Sequence, residues 1–221
     1  MFNFFNVKLD PATVAAILIA FVIGTTVHEF CHAWTALMLG DDTAQRQGRV
    51  TLNPLAHLDP IGSIGILFLV VGGFGIGWGR PVPIVPSRLR GHQRGMGITA
   101  IAGPISNVVL AAVFVIPLRF GHVEAGSAAY VFLRQIVVVN MLLAAFNVIP
   151  VPPLDGSKIL TGILPSFWYP YLAPLERYGV FILLALILFG SLGGSILSAM
   201  YSPVFNTLSH VLIGNLRLPA V

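Results

Sequence analysis

The chain is short of charge. Only 9% of its 221 residues are Asp, Glu, Lys or Arg, against roughly 25% in a soluble domain, so it cannot cover an ordinary water-facing surface. It has one cysteine, Cys31, which excludes an internal disulfide framework. It has no basic face with interleaved aromatics, so its net charge of +4 does not point to nucleic acid, and no nucleic-acid partner is expected. Internal repeats and low-complexity linkers are absent, which leaves a single domain over 1–221 as the simplest organisation. Residues Met1 to Asp10 lack the charged n-region and cleavage site of a signal peptide, so insertion through the first span is expected.

Apolar sequence is what the chain has in abundance: 56% of its residues are hydrophobic and the mean hydropathy is +0.88. The expected fold class is an all-α polytopic membrane protein of about 5–6 membrane segments, with the lipid bilayer as its solvent. Apolar runs place spans over Pro11 to Leu39, Ile61 to Trp78, Met96 to Leu118, Ser127 to Ile149 and Tyr178 to Leu197. Val204 to Ile213 is too short for a span and reads as an interfacial helix or the second half of a hairpin. The polar stretch Gly40 to Asp59 contains an alternating piece, Arg49 to Leu52, that is a candidate strand or hairpin. Asp59 and Pro60 have the chemistry of an N-cap and first helical position for the second run. Pro150, Pro152 and Pro153 stop the fourth. Trp34, Trp78 and Trp168 lie near span ends and read as interfacial anchors.

The chemistry concentrates in His28-Glu29-Phe30-Cys31-His32, an H-E-x-x-H element. Residues four apart share a helix face, so both imidazoles can reach one metal ion while Glu29 serves as general base rather than ligand. The pattern arises by chance in soluble helices, but inside a span each ionisable group costs roughly 2.5–3.5 kcal/mol, which favours function over packing. Cys31 points off the ligand face and reads as packing. Two histidines leave a zinc ion one protein ligand short. Asp155, set between Pro153 and Gly156, is either that ligand or a turn aspartate capping the next helix.

Together these elements resemble the site-2 proteases, intramembrane zinc metalloproteases. The resemblance is carried in order by His28 to His32, Asn53 to Gly62 (NPLAHLDPIG), Trp78 to Pro83 (WGRPVP), Ala102 to Asn107 (AGPISN) and Phe146 to Gly156 (FNVIPVPPLDG). It is similar to the compact prokaryotic type without PDZ or CBS domains. The resemblance implies one zinc ion held by His28, His32 and Asp155, with Glu29 as the catalytic base. It also implies that Asn147 helps to hold an extended substrate segment or polarise its carbonyl, unless it makes an interhelical hydrogen bond instead. His57 is a candidate for contact with the metal or a developing oxyanion, or an interfacial histidine. Asn107, with Gly103 and Pro104, reads as close helix packing.

The expected reaction is hydrolysis of a peptide bond in or beside a transmembrane segment of another protein, weakened as a helix near the cut. The contrasting reading is a zinc-binding membrane protein without proteolytic activity, a transporter or silent scaffold. The arginines of the loop Arg80 to Arg94 place it in the cytoplasm by the positive-inside rule, and with it the active site of a multi-pass protein of a prokaryotic plasma membrane. That raises a parity problem. Either the run Ile61 to Trp78 dips into the membrane and returns at its glycines, or the first span runs inward-to-outward with the motif away from its end.

Overall fold

The computed structural model describes residues 10–72, 77–121, 123–188 and 190–214. The leading residues 1–9, and Gly73 and Gly75 of the glycine-rich tail, lie outside them.

Helix α1, Pro11–Met38, starts on Asp10, whose carboxylate accepts from the main-chain N–H of Ala12 and Thr13, with Pro11 in the first turn. Gly40, at φ 105°, takes the left-handed conformation that ends the helix. Its 28 residues span about 42 Å at 1.5 Å each. Helices α4 (Gln93–Phe120) and α5 (Ala128–Asn147, capped by the Ser127 hydroxyl) pack on α1 and on each other as the central three-helix unit. α4 turns Ile98, Ile101, Ile105, Val109, Val113, Ile116 and Phe120 outward. This spacing of three and four residues is a stripe suited to lipid. Among the described residues, four helical segments are long and apolar enough to cross a membrane: α1, α4, α5 and Ser166–Ile187.

Between α1 and α4 lie the short α2 (Thr43–Arg46) and α3 (Pro60–Gly72). Asp59 caps α3 as expected, accepting from Gly62 N–H at 2.9 Å. The described part of α3 has 13 residues, about 20 Å of helix. The chain also returns to its point of departure. Leu58 bridges Gly79, and Arg80 N–H donates to His57 O at 2.7 Å. Gly62 faces the Trp78 carbonyl with no room for a Cβ. The two ends of 61–78 thus lie together, as the re-entrant alternative requires.

The Arg49 to Leu52 piece is bend and loop, and no strand occurs among the described residues. Arg49 is turned inward to hold the carbonyls of Arg80 and Pro81 instead of pairing along a ladder.

α6 (Asp155–Ile163) packs on α4, where Gly162 and Gly97 bring the two backbones together. The span expected over Tyr178 to Leu197 is instead parts of two helices, α7 (Tyr169–Leu188) and α8 (Gly190–Leu212). They fold back on one another, with Leu183 and Ile187 clustered against Leu197, Met200 and Tyr201. The segment Val204 to Ile213 is the second half of that hairpin. Pro174 lies inside α7 near its start. Pro170 falls where the N–H has no intrahelical partner anyway, so only Pro174 interrupts the ladder.

Candidate metal centre

His28 and His32 face inward from α1, one turn apart, with rings edge to face at 4.5 Å between centroids. Asp155 reaches them from the first turn of α6. Gly156 makes this possible, because the start of α6 lies so close to the carbonyls of Val148 and Ile149 that no Cβ would fit. All three ligand candidates are buried. His28 Nε2 is 3.0 Å and His32 Nε2 3.1 Å from Asp155 Oδ2, and the two Nε2 atoms are 2.9 Å apart. Asp155 Oδ1 turns away, toward Lys158 Nζ at 3.7 Å.

The outer nitrogens decide what these atoms are. His32 Nδ1 is 2.8 Å from the carbonyl of Thr99, which can only accept, so Nδ1 must donate. His28 Nδ1 lies 2.6 Å from Asn107 Oδ1 and donates likewise. In the neutral imidazoles both Nε2 atoms are then lone pairs, and they meet a carboxylate oxygen with no proton between them. Three acceptors converging in an apolar interior repel one another unless a cation joins them. Tetrahedral bonds of about 2.0–2.1 Å to a zinc ion place ligand atoms about 3.3–3.4 Å apart. The observed spacings are a few tenths shorter, which a small outward movement of the side chains supplies. The residues present therefore fit a metal ion.

Gly103 of α4 lies against the cluster. An added Cβ would stand 2.5 Å from His32 Nε2 and 2.6 Å from His28 Nε2. Next in sequence, Pro104 offers no N–H to the Ala100 carbonyl and crowds the preceding turn.

Glu29 is not among the three converging ligand atoms. Its Oε2 accepts from Val82 N–H at 3.1 Å, which ties its carboxylate to the extended segment after Arg80. Arg49 clasps the same segment through the Arg80 and Pro81 carbonyls. Burial pushes the Arg49 guanidinium below its ordinary value, with the Glu29 charge opposing that and Arg80 adding to it.

The structure leaves His57 and Asn147 out of the cluster. His57 is buried and donates from Nε2 to Thr51 O at 2.7 Å, stitching the loop layer together. Asn147 donates to Leu143 O within its own helix. Three participants escaped the sequence reading: Thr99 and Asn107 as acceptors from the two histidines, and Asn140, which accepts from Asn107 Nδ2 at 2.8 Å. The available signal was polarity, since asparagines in apolar spans seldom face lipid.

Comparison with known proteins supports the same chemistry. Residues 121–190 match the family model Peptidase family M50, a stretch that includes Asp155 and excludes the His28 to His32 element. YwhC of Bacillus subtilis is 36% identical over 192 residues, covering 84% of this chain and 84% of its own length. Rip2 of Mycolicibacterium smegmatis is 30% identical over 177 residues, covering 78% of this chain and 66% of its own. Both carry provisional names as zinc metalloproteases. MJ0392 of Methanocaldococcus jannaschii, named as a zinc metalloprotease, is 32% identical over 105 residues, covering 46% of this chain and 30% of its own. No solved structure matches the chain.

Proposed function

The chain belongs to Peptidase family M50, the site-2 protease family, and from that premise we propose that it cuts peptide bonds within or beside transmembrane segments of other membrane proteins. The observation that carries the reading is the convergence of His28 Nε2, His32 Nε2 and Asp155 Oδ2 within 4.8 Å, with both Nδ1 atoms committed as donors. These three residues would hold one zinc ion. When bound, zinc lowers the pKa of water toward neutrality and polarises a carbonyl, which is what peptide hydrolysis needs.

Glu29 is the base in this reading. One residue from His28, it would take a proton from the attacking water at Oε1 or Oε2 and return it to the leaving amine. Its carboxylate is held meanwhile by Val82 N–H. All three ligand candidates are buried, and a substrate helix must unwind locally before its carbonyl is free to approach. Substrates with helix-weakening residues near the cut are therefore favoured. The exposed Arg80, Arg88, Arg90 and Arg94 support a cytoplasmic position for the loop layer and an approach to the centre from that side.

The test uses the purified full chain in detergent or liposomes with a single-span reporter. Wild type binds one zinc ion and cleaves. Glu29→Gln keeps the metal and loses at least about a hundredfold in rate, the contribution typical of a general base. Asp155→Ala loses zinc. Undiminished cleavage by Glu29→Gln sinks the assignment of the base. Zinc bound with no cleavage of any reporter favours a silent scaffold.

A further inference from the structure

The hydrogen bonds around His28 extend past Asn107 and have a fixed direction. Asn140 on α5 is wholly buried, and its Nδ2 donates to the Ile136 carbonyl at 2.8 Å. A carbonyl can only accept, so Asn140 must turn Oδ1 toward its other neighbour, Asn107 Nδ2, at 2.8 Å. The second Nδ2 hydrogen of Asn107 goes to the carbonyl of Gly24 at 3.1 Å, one helical turn before His28. Both donors of Asn107 are thus taken by atoms that cannot donate. Its Oδ1 is left for His28 Nδ1, at 2.6 Å.

Polarity therefore propagates from a main-chain carbonyl of α5, through two amides, to the imidazole on α1. Its end result is an Nε2 lone pair aimed at the metal position. The fit is close, since a Cβ on Gly24 would lie 2.8 Å from Asn140 Oδ1. A flipped Asn107 would present two hydrogens to His28 and set Oδ1 against two acceptor oxygens, which is costly where no water can compensate.

We propose that Asn140 is a positioning residue for the metal centre: acting through Asn107, it fixes His28 in the tautomer that leaves Nε2 free to ligate. This rests on the reading of His28 as a ligand. Outer partners of metal-bound histidines commonly change affinity by about 10–100-fold when removed. The contrasting role is a helix fastener, which holds α5 against α4 and has no effect on the imidazole.

The experiment compares Asn140→Leu, Asn140→Asp and Asn107→Leu with wild type in the full-length protein. Zinc affinity is read by chelator competition. Thermal unfolding of the metal-free protein is followed in parallel, and the His28 tautomer is read from imidazole ¹⁵N shifts in the metal-free state. Asn140→Leu is expected to weaken zinc binding about tenfold and to mix the His28 tautomers, and Asn107→Leu does both more strongly. Asn140→Asp, measured where its buried carboxyl is protonated, keeps an acceptor facing Asn107 and an O–H for the Ile136 carbonyl, and stays within about threefold of wild type, a small fraction of the loss that removing an outer partner brings.

A folded Asn140→Leu with unchanged zinc affinity and a pure Nδ1–H tautomer overturns the proposal, whatever its unfolding temperature. So does an Asn140→Asp as impaired as Asn140→Leu. Should Asn140→Leu fail to fold, Asn107→Leu and Asn140→Asp carry the same comparison. Wild-type protein that binds no zinc at His28 refutes the metal reading instead, while the tautomer measurement still decides the relay.

Discussion

At the scale of single residues, Gly103 separates the demands of the fold from those of the metal. Alanine in a helix interior gains roughly 1 kcal/mol over glycine in propensity, and overpacking costs roughly 1–3 kcal/mol. Gly103→Ala should therefore change overall stability little. The metal has no such compensation, because the new methyl would lie 2.5 Å from His32 Nε2 and 2.6 Å from His28 Nε2. Zinc affinity is expected to fall by at least about tenfold, as for other disturbances of ligand orientation, while the metal-free protein unfolds near the wild-type temperature. Chelator competition and thermal unfolding check both halves. The sequence revealed His28, Glu29 and His32 because helix geometry alone relates residues one turn apart. It did not reveal the roles of Gly103, Thr99, Asn107 and Asn140, since each depends on a contact between helices that no local spacing encodes. Asp155 stands between these cases: its turn chemistry was legible, but the residue it would face was not.

At the scale of elements, the loops that flank the re-entrant segment are fastened by one buried aspartate. Asp41 accepts from the Thr43 hydroxyl and N–H through Oδ1, and from Val85 N–H at 2.6 Å through Oδ2. Burial alone would push its carboxyl up, but the Thr43 hydroxyl, the Val85 and Thr43 N–H groups and the Arg88 charge outweigh it and hold the value below the ordinary 3.8. Because the folded-state value is the lower one, the carboxylate stabilises the fold above about pH 3.8, and this contribution disappears as pH falls through the folded-state value. Thermal unfolding of Asp41→Asn should lose part of the acid sensitivity seen in wild type below that pH. At neutral pH the substitution should cost roughly 1–3 kcal/mol for the disrupted bonds. An unchanged acid profile would remove Asp41 from this role. The helices themselves were read within a few residues where caps and prolines mark them, as at Asp10, Ser127 and Pro150. The reading failed at the junction of α7 and α8, where it makes one span of the apolar run although Gly190, Gly193 and Gly194 punctuate it.

At the scale of the whole molecule, the return of the segment 61–78 fixes relations that hydropathy could not. The bridge Leu58–Gly79, the bond from Arg90 N–H to Leu39 O at 2.8 Å and the Arg88–Asp42 contact at 3.4 Å weave residues 40–58 and 80–94 into one layer. That layer covers the C-terminal end of α1 and the N-terminal end of α4. Counting apolar runs left the parity open, because a run of spanning composition is not thereby a crossing; the ends of this one are brought together. Single cysteines test this in a Cys31→Ala background. Gln47 and Ser87 are exposed in the two halves of the layer, and Ala125 is exposed in the connection from α4 to α5. If 61–78 is re-entrant, Gln47→Cys and Ser87→Cys react with an impermeant maleimide from the same side of the membrane, and Ala125→Cys reacts from the opposite side. A simple crossing would instead separate Gln47 from Ser87. The arginines add a direction: in intact cells Ala125→Cys is labelled from outside, while Gln47→Cys and Ser87→Cys are protected until the membrane is permeabilised. Labelling of Gln47→Cys and Ser87→Cys together from outside would preserve the re-entrant path but invert the protein, placing the metal centre on the far side from the cytoplasm.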